Sequence, residues 1–554
     1  MAQRFDRRTL LSTGVLATAG AVGATSLADM LVATEAGAVT TNGPGRNGLT
    51  RAKARRGGHL TIGVSAEEQG FNPTTGRFDG TGFLYGRTVF DPLMAITATG
   101  KVVPYLAESL TANKDFTKWT ITVRPNIKFH DGTPCDGAAL LMNIDKQYSS
   151  PLVGVAVRPL VASYEQTGPR SITLTMRRPW VSFPYTLASQ QICFTAAPSM
   201  LSAPNGGSDH PVGTGPFIFE SWQPNDHFTA KANPHYWRPG LPHLDTITFK
   251  PIADENARAQ ALRSGTIDIM HAFGAQALLE FRGNRQFSYA DDSGHMVGSP
   301  NCNSLMLNCA AAPFNDPEVR RIVATGTSSA IFSKAIDRGL SGAVNGIFQP
   351  GSPYYSRHNP YPTYNKAKAA AMVKAYNAKH ATKLSFSLNT VAAPDTLRAA
   401  QLNQQMMRDI GIPVAIKTMQ QNELINNALY GTFQATQWSQ FGTISPELNY
   451  IWFSTTTSQK SGISINMARN SDPRIETAMI AGMSSPKASV RTASWRRVNE
   501  LLGQDVPYVW TDRLTAGIIS RPNVENWAGP TSPAGVPLLG NAQGVFWPTQ
   551  IWRS

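Results

Sequence analysis

The stretch from Thr246 to Ile269 constrains the fold more than any other part of the chain. Thr246-Ile247-Thr248-Phe249 reads as a strand, and Asp254 then stands where a helix N-cap belongs. A helix follows through Arg258, Leu262 and Arg263, Gly265 ends it, and Ile267-Asp268-Ile269 begins another strand. The Asp side chain offers an acceptor to the unpaired N–H groups of the first turn. Glycine supplies the left-handed backbone that closes the last one. The same grammar occurs earlier: Trp119-Thr120-Ile121-Thr122-Val123-Arg124 alternates, with Trp119, Ile121 and Val123 on one face. After the turn His130-Asp131-Gly132-Thr133-Pro134, Asp136 caps a helix expected to reach about Tyr148. Further strands are expected at 59–64 and 384–388, and helices within 360–379 and over 395–409, the latter stopping at Gly411. Strands and helices interleave, which points to mixed α/β lobes. There is no repeat of 20–50 residues, which argues against solenoids and propellers. The 38 prolines and 46 glycines argue against a simple helical bundle.

The 554 residues give room for roughly three or four ordinary domains, and 42% hydrophobic residues suffice for a sizeable core. Beyond residue 40 no uncharged apolar run approaches the length of a membrane-spanning helix, so a multi-span membrane protein is excluded. Lys+Arg 50 against Asp+Glu 36 leaves +14, but the charges are scattered and no nucleic-acid partner is expected. The one tight basic cluster, Arg51, Lys53, Arg55 and Arg56, reads either as a solvated linker or as a surface-binding tail.

The N-terminus carries its own message. Arg7 and Arg8 precede an uncharged, small-residue apolar stretch from Leu10 to Leu27, and Ala36-Gly37-Ala38 is an A-x-A cleavage pattern. Residues 1–38 therefore read as a secretory signal, its arginine pair being of the twin-arginine type that exports folded proteins. Residues 39–57, rich in Gly, Thr, Arg and Asn, read as a flexible linker. The expected location is outside the cytoplasm, in the periplasm or at the outer face of the cell membrane. Export would put Cys135, Cys193, Cys302 and Cys309 where disulfides are permitted. Cys302 and Cys309 are close enough in sequence to bridge a turn, and four buried free thiols fit equally well.

Chemical motifs are missing. There is no G-x-x-x-x-G-K-[ST] phosphate loop, no H-E-x-x-H, no C-x-x-C and no G-x-S-x-G elbow. His227, His235 and His243 are separated by Pro234 and Pro242, a loop pattern rather than a metal-ligand one. No catalytic residue, metal site or cofactor is expected, and the chain is not read as an enzyme.

Six segments in order carry a resemblance. They are GGHLTIGVSAEEQGFNPTTG (57–76), VFDPLMAITATGKVVPYLAESL (89–110), WTITVRPNIKFHDGTPCDGAAL (119–140), the long block from VGTGPFIFESW to RSGTIDI (212–269), LMLNCAAAPFNDPEVRRIV (305–323) and YNKAKAAAMVKAY (364–376). Together they resemble the family 5 extracellular solute-binding proteins of ABC importers, the group of oligopeptide-, dipeptide- and nickel-binding proteins. The resemblance implies an α/β, two-lobed periplasmic-binding-protein-like fold (type II, cluster C) with an extra domain inserted in the first lobe. Lobe I would comprise 57–95, 212–305 and 512–554, the extra domain 96–211 and lobe II 306–511. A solute would sit in the cleft between hinged lobes, a membrane permease would receive it, and the protein would act as a monomer.

By position in the family pattern, the loop after the first strand offers Phe78, Asp79, Phe83 and Tyr85 to the solute. The strand ending Gln437-Trp438-Ser439-Gln440-Phe441 offers Trp438 and Phe441, and the segment Arg521 to Trp527 offers Trp527. Aromatic rings suit such sites because they supply broad contact area at low entropic cost. Peptide-binding members carry an Asp just after the second-lobe strand to pair with the peptide's amino group. Here no Asp occurs from Ile410 through Ser471, and the acids in that window are Glu423 and Glu447. Either Glu447, Asp79 or another acid substitutes, or the solute is not a free-amino peptide but, for instance, an oligosaccharide or a metal chelate. An exported hydrolase is the reading from another class. The second departure, Gly326-Thr327-Ser328-Ser329-Ala330, is expected to be structural, with Ser328 or Ser329 capping a helix.

Overall fold

The computed structural model describes residues 53–76, 78, 80–292, 301–440, 442–459, 462–541 and 544–554. Arg7, Arg8, the expected cleavage site, Asp79 and Phe441 lie outside the described residues.

The strand His59–Val64 is the centre of a seven-stranded mixed sheet. It runs parallel to both Thr246–Pro251 and Ile269–Ala272, with Leu60 opposite Ile247 and Ile62 between Phe249 and Ile269. The helix Glu255–Ser264 makes the crossover: Asp254 accepts from Ala257 N–H at 2.8 Å, and Gly265 closes it at φ 83°. The next strand starts at Ile269, two residues later than the apolar pattern suggests. The backbone of Asp268 still donates to Thr61 O at 2.7 Å, while its carboxylate accepts from Thr61 N–H at 2.9 Å and pairs with Arg553. The antiparallel strands His227–Ala232 and Phe217–Gln223 complete one side of the sheet. Gly517–Ser520 and Ser288–Asp291 complete the other.

A second sheet has five strands in the order Val414–Met419, Phe386–Val391, Ala435–Gln440, Cys302–Leu307 and Tyr508–Arg513. Its Leu305, Leu307 and Val509 pack against the helices Pro317–Gly326, Lys366–Lys379 and Pro394–Asp409. Ser328 caps the following helix, accepting from Ile331 N–H at 3.3 Å. The strands Cys302–Leu307 and Tyr508–Arg513 belong wholly to this sheet. The expected boundaries at 305/306 and 511/512 cut through them, because a paired strand cannot be divided between two bodies without losing its ladder. A smaller antiparallel sheet of four strands, between Ala107 and Met176, buries Trp119, Ile121 and Val123. The helix Gly137–Ser149 packs on it, with Asp136 as N-cap accepting from Ala139 N–H at 3.0 Å.

The chain leaves the first sheet after Asp291 and enters the second at Cys302, and it returns between Arg513 and Gly517. Around these passages Asp292 N–H donates to Ala516 O at 3.0 Å, and Leu514 N–H donates to Asn301 O at 3.1 Å. The described ends of the two connections are thus hydrogen-bonded to each other.

All four cysteines are free thiols. Cys302 opens a strand that runs about 17 Å to Leu307 at roughly 3.3 Å per residue, and Cys309 lies two residues beyond that far end, too far for a bridge. Among the described residues no helix is long and apolar enough to cross a membrane, and no group of three or more His, Cys, Asp and Glu could hold a metal ion.

Candidate functional site

The loop that follows the first strand is held from the side. Gln191, in a short 3₁₀ turn, donates to Pro73 O at 2.6 Å and Gly76 O at 2.9 Å, and its carbonyl accepts from Phe78 N–H at 3.3 Å. One amide therefore fixes the turn that presents Phe78. Asn72 contributes from within, its side chain accepting from Thr74 at 2.8 Å and donating to Gly206 O at 2.9 Å. Phe78 and Phe83 remain half-buried and form a trio with the buried Phe194, ring centroids lying 5.6–6.3 Å apart. Such edge and tilted contacts stabilise an aromatic wall while leaving faces open.

Tyr85 is placed differently. It is 3% exposed and enclosed by Phe71, Phe228 and Phe249, with centroids at 5.2, 5.0 and 4.5 Å. The helix Gly80–Val89 buries that face against the first sheet. Trp527 is 0% exposed and donates from Nε1 to Ser520 Oγ at 2.8 Å. Both rings are core as the structure stands, so neither offers a free face to a solute. Burial decides which side of a segment is open to a solute, and a resemblance in sequence does not carry that information.

In the second sheet Trp438 is half-buried on Ala435–Gln440, opposite Ser304. Ser304 is in turn opposite Trp510, whose ring stacks on Tyr508 at 5.2 Å. Trp438, Ser304 and Trp510 thus form one row on one face. The adjoining row, at the end of the strand Cys302–Leu307 nearest the first sheet in sequence, is Gln440, Cys302 and Arg513. Sequence reasoning did not single out Gln440 or Arg513. For Gln440 the signal was present, since a residue two places beyond Trp438 on a strand shares its face.

Glu447 is not an open acid. It is 4% exposed in the turn Pro446–Asn449, accepts a short hydrogen bond from Ser445 Oγ and pairs with Arg491 Nε at 3.6 Å. Burial raises its pKa, opposed by Ser445 and Arg491. Tyr185 of the small-sheet domain lies close enough to Glu447 and Arg491 for their charges to act on its hydroxyl, and so does Tyr354. Val181 N–H of that domain donates to Met483 O of the second lobe at 3.0 Å. The buried pair therefore sits where the small domain meets the second lobe. A separate open cavity of about 550 Å³ lies between Val155 and Arg158 of the small domain and Tyr430 and Ile463 of the second lobe, lined by none of the expected site residues.

Two α/β bodies joined by paired crossings, with half-buried aromatic side chains on each, are the architecture of periplasmic solute-binding proteins. Solved structures share it. The AgaA binding protein of A. tumefaciens R10 in complex with agropinic acid superposes with a TM-score of 0.78 at 20% identity, covering 90% of this chain and 99% of that one. The periplasmic binding protein DppA of Helicobacter pylori in complex with the peptide STSA gives 0.77 at 20% identity over the same shares. Residues 101–462, more than half of the chain, match the family described as bacterial extracellular solute-binding proteins, family 5 middle. The chain belongs to that family. Among curated relatives, the glutathione-binding protein GsiB of Salmonella paratyphi A (strain ATCC 9150 / SARB42) is 29% identical over 343 residues, 60% of this chain. That match spans 64% of the relative's own length, a little under two thirds.

Proposed function

We propose that this chain is the extracytoplasmic solute-binding component of an ABC importer. It captures a peptide-like solute between two hinged lobes and delivers it, chemically unaltered, to a membrane permease. Export through the Arg7-Arg8 signal and action as a monomer belong to the same reading. The observation that supports it is the pair of separate sheets connected from Asp291 to Cys302 and from Arg513 to Gly517, with Trp438 half-exposed on the second. Taking such a device from 1:99 to 99:1 closed needs about 5.5 kcal/mol of differential affinity. The solute must therefore touch both lobes, and Phe78 and Phe83 are the proposed contacts on the first and Trp438 on the second. Asp79 and Phe441 are proposed with them on the sequence resemblance alone.

A non-peptide solute, such as an oligosaccharide or a metal chelate, is the second reading. The state of Glu447 favours it: with Arg491 and Ser445 already on its carboxylate, it is a poor partner for a peptide ammonium, which is costly to bury unpaired. Native mass spectrometry of the purified protein, followed by thermal-shift and turnover assays on the released compound, separates the readings. A bound peptide that raises the melting temperature and is recovered intact supports the first. A bound sugar or chelate supports the second. A compound recovered chemically changed would overturn both in favour of a hydrolase.

A further inference from the structure

We infer that Arg513 and Gln440 form a carboxylate-recognising subsite at the Cys302 end of the second lobe, and that the solute is therefore an acid. The inference rests on the solute-binding reading and narrows it to a chemical class. Gln440, Cys302 and Arg513 are register partners on three adjacent strands, so their side chains share one face. Strands lie about 4.8 Å apart, which puts the Gln440 and Arg513 backbones about 10 Å from each other, with only a small thiol side chain between. Cys302 is the first strand residue after one crossing and Arg513 the last before the other. The row is thus at the end of the strand Cys302–Leu307 nearest the first sheet in sequence, one step from Trp438.

Two observations make this row a site rather than ordinary packing. Gln440 is 2% exposed, yet neither its Oε1 nor its Nε2 has a hydrogen-bond partner among the described residues. A buried amide left unpaired at both ends is costly; Gln147, Asn403 and Asn499 share that state elsewhere in the fold, and Gln440 differs from them in standing on one face with a half-buried arginine. Arg513 is half-buried, donates through Nη1 to Gln349 Oε1 at 3.0 Å, lies within hydrogen-bond reach of the Cys302 thiol, and has a buried Nε with no partner of its own among the described residues. No carboxylate pairs with it among the described residues, and 293–300 contains no Asp or Glu. A guanidinium held half out of water without a counter-ion suits a ligand that brings the charge. The amide N–H₂ beside it can take a second oxygen.

The test uses the full folded chain and matched probes: reduced glutathione against its diethyl ester, and trialanine against its C-terminal amide. Affinities come from calorimetry and melting temperatures are taken with and without probe. The free acids should bind and the masked forms should not, Arg513→Met should weaken the acids at least tenfold, and Arg513→Lys should recover part of the loss. Gln440→Leu should weaken them less. Without any probe, Arg513→Met should melt about 2 °C or more above the wild type, because an uncompensated charge has been removed. Equal binding of acid and masked probe, or an Arg513→Met variant that binds acids as the wild type does, overturns the inference and leaves the peptide reading standing. If no peptide probe binds, the peptide reading fails instead. The co-purified compound then decides: one bearing a carboxylate supports the subsite, and one without overturns it. If nothing co-purifies, a probe-free Arg513→Met protein that melts below the wild type marks a structural arginine and overturns the inference.

Discussion

Asp292 and Ala516 are joined twice: the backbone N–H of Asp292 donates to Ala516 O at 3.0 Å, and the Asp292 carboxylate accepts the backbone N–H of Ala516 at 2.9 Å. The two residues come from the two passages that link the large sheets, so one acidic side chain ties the first crossing to the second.

Burial pushes the Asp292 carboxyl up to about 7, with the Ala516 N–H opposing and the neighbouring Asp291 charge adding to the rise. Unfolded, the group ionises near 3.9. Between those values the folded protein keeps a proton that the unfolded chain has released, so its contribution to stability is whole below about pH 4 and is lost as pH rises through about 7. Asp292→Asn keeps the acceptor and removes the titration. It should exceed the wild type by about 2–4 kcal/mol at pH 8, the gap shrinking to about half of that or less by pH 5 and closing near pH 4. Denaturant unfolding at these pH values checks this, and a gap that widens on acidification would refute it.

Asp91 is 1% exposed and accepts from Trp237 Nε1 at 2.7 Å, Tyr236 OH at 2.8 Å and Thr214 Oγ1 at 3.2 Å. Burial raises its carboxyl to about 6 against those three donors and Arg238. Asp91→Ala would strand three donors at once, those of the buried Tyr236 and Thr214 and of the half-buried Trp237, and should cost roughly 3 kcal/mol or more. Chemical denaturation reads the cost directly; a loss under about 1 kcal/mol would show that the donors find other partners.

The two tryptophans named from the sequence should part company. Trp438→Ala should weaken solute binding at least tenfold with little change in melting temperature, as expected for a half-exposed contact. Trp527 is fully buried and bonded to Ser520, so Trp527→Ala should destabilise by about 3–5 kcal/mol. Calorimetry and thermal melts on both variants settle the assignment. A stable Trp527→Ala protein that has lost affinity would return Trp527 to the binding site.

Arg7→Lys combined with Arg8→Lys should block export of the folded chain, leaving it inside the cell. Fractionation followed by immunoblotting measures this, and unchanged secretion of the double variant would show that the arginine pair is not the signal.

Much of the fold was legible locally because its signals act over a few residues. Asp136, Asp254 and Ser328 cap the helices that follow them, Gly265 closes its helix at φ 83°, and Trp119, Ile121 and Val123 alternate into a core. Capping, turn chemistry and strand alternation need only neighbours, so the chain itself determines them. The ordered family segments likewise carried the two-lobed architecture. What tertiary structure alone decided is which faces meet. It buried Tyr85 and Trp527 in the core, engaged Glu447 with Arg491, and drew Gln440, Cys302 and Arg513 into one row from three separated segments. It also set Asp292 against Ala516 across 224 positions of chain. A contact at that distance depends on how two sheets pack and cross, and no pattern confined to a few neighbouring residues encodes it.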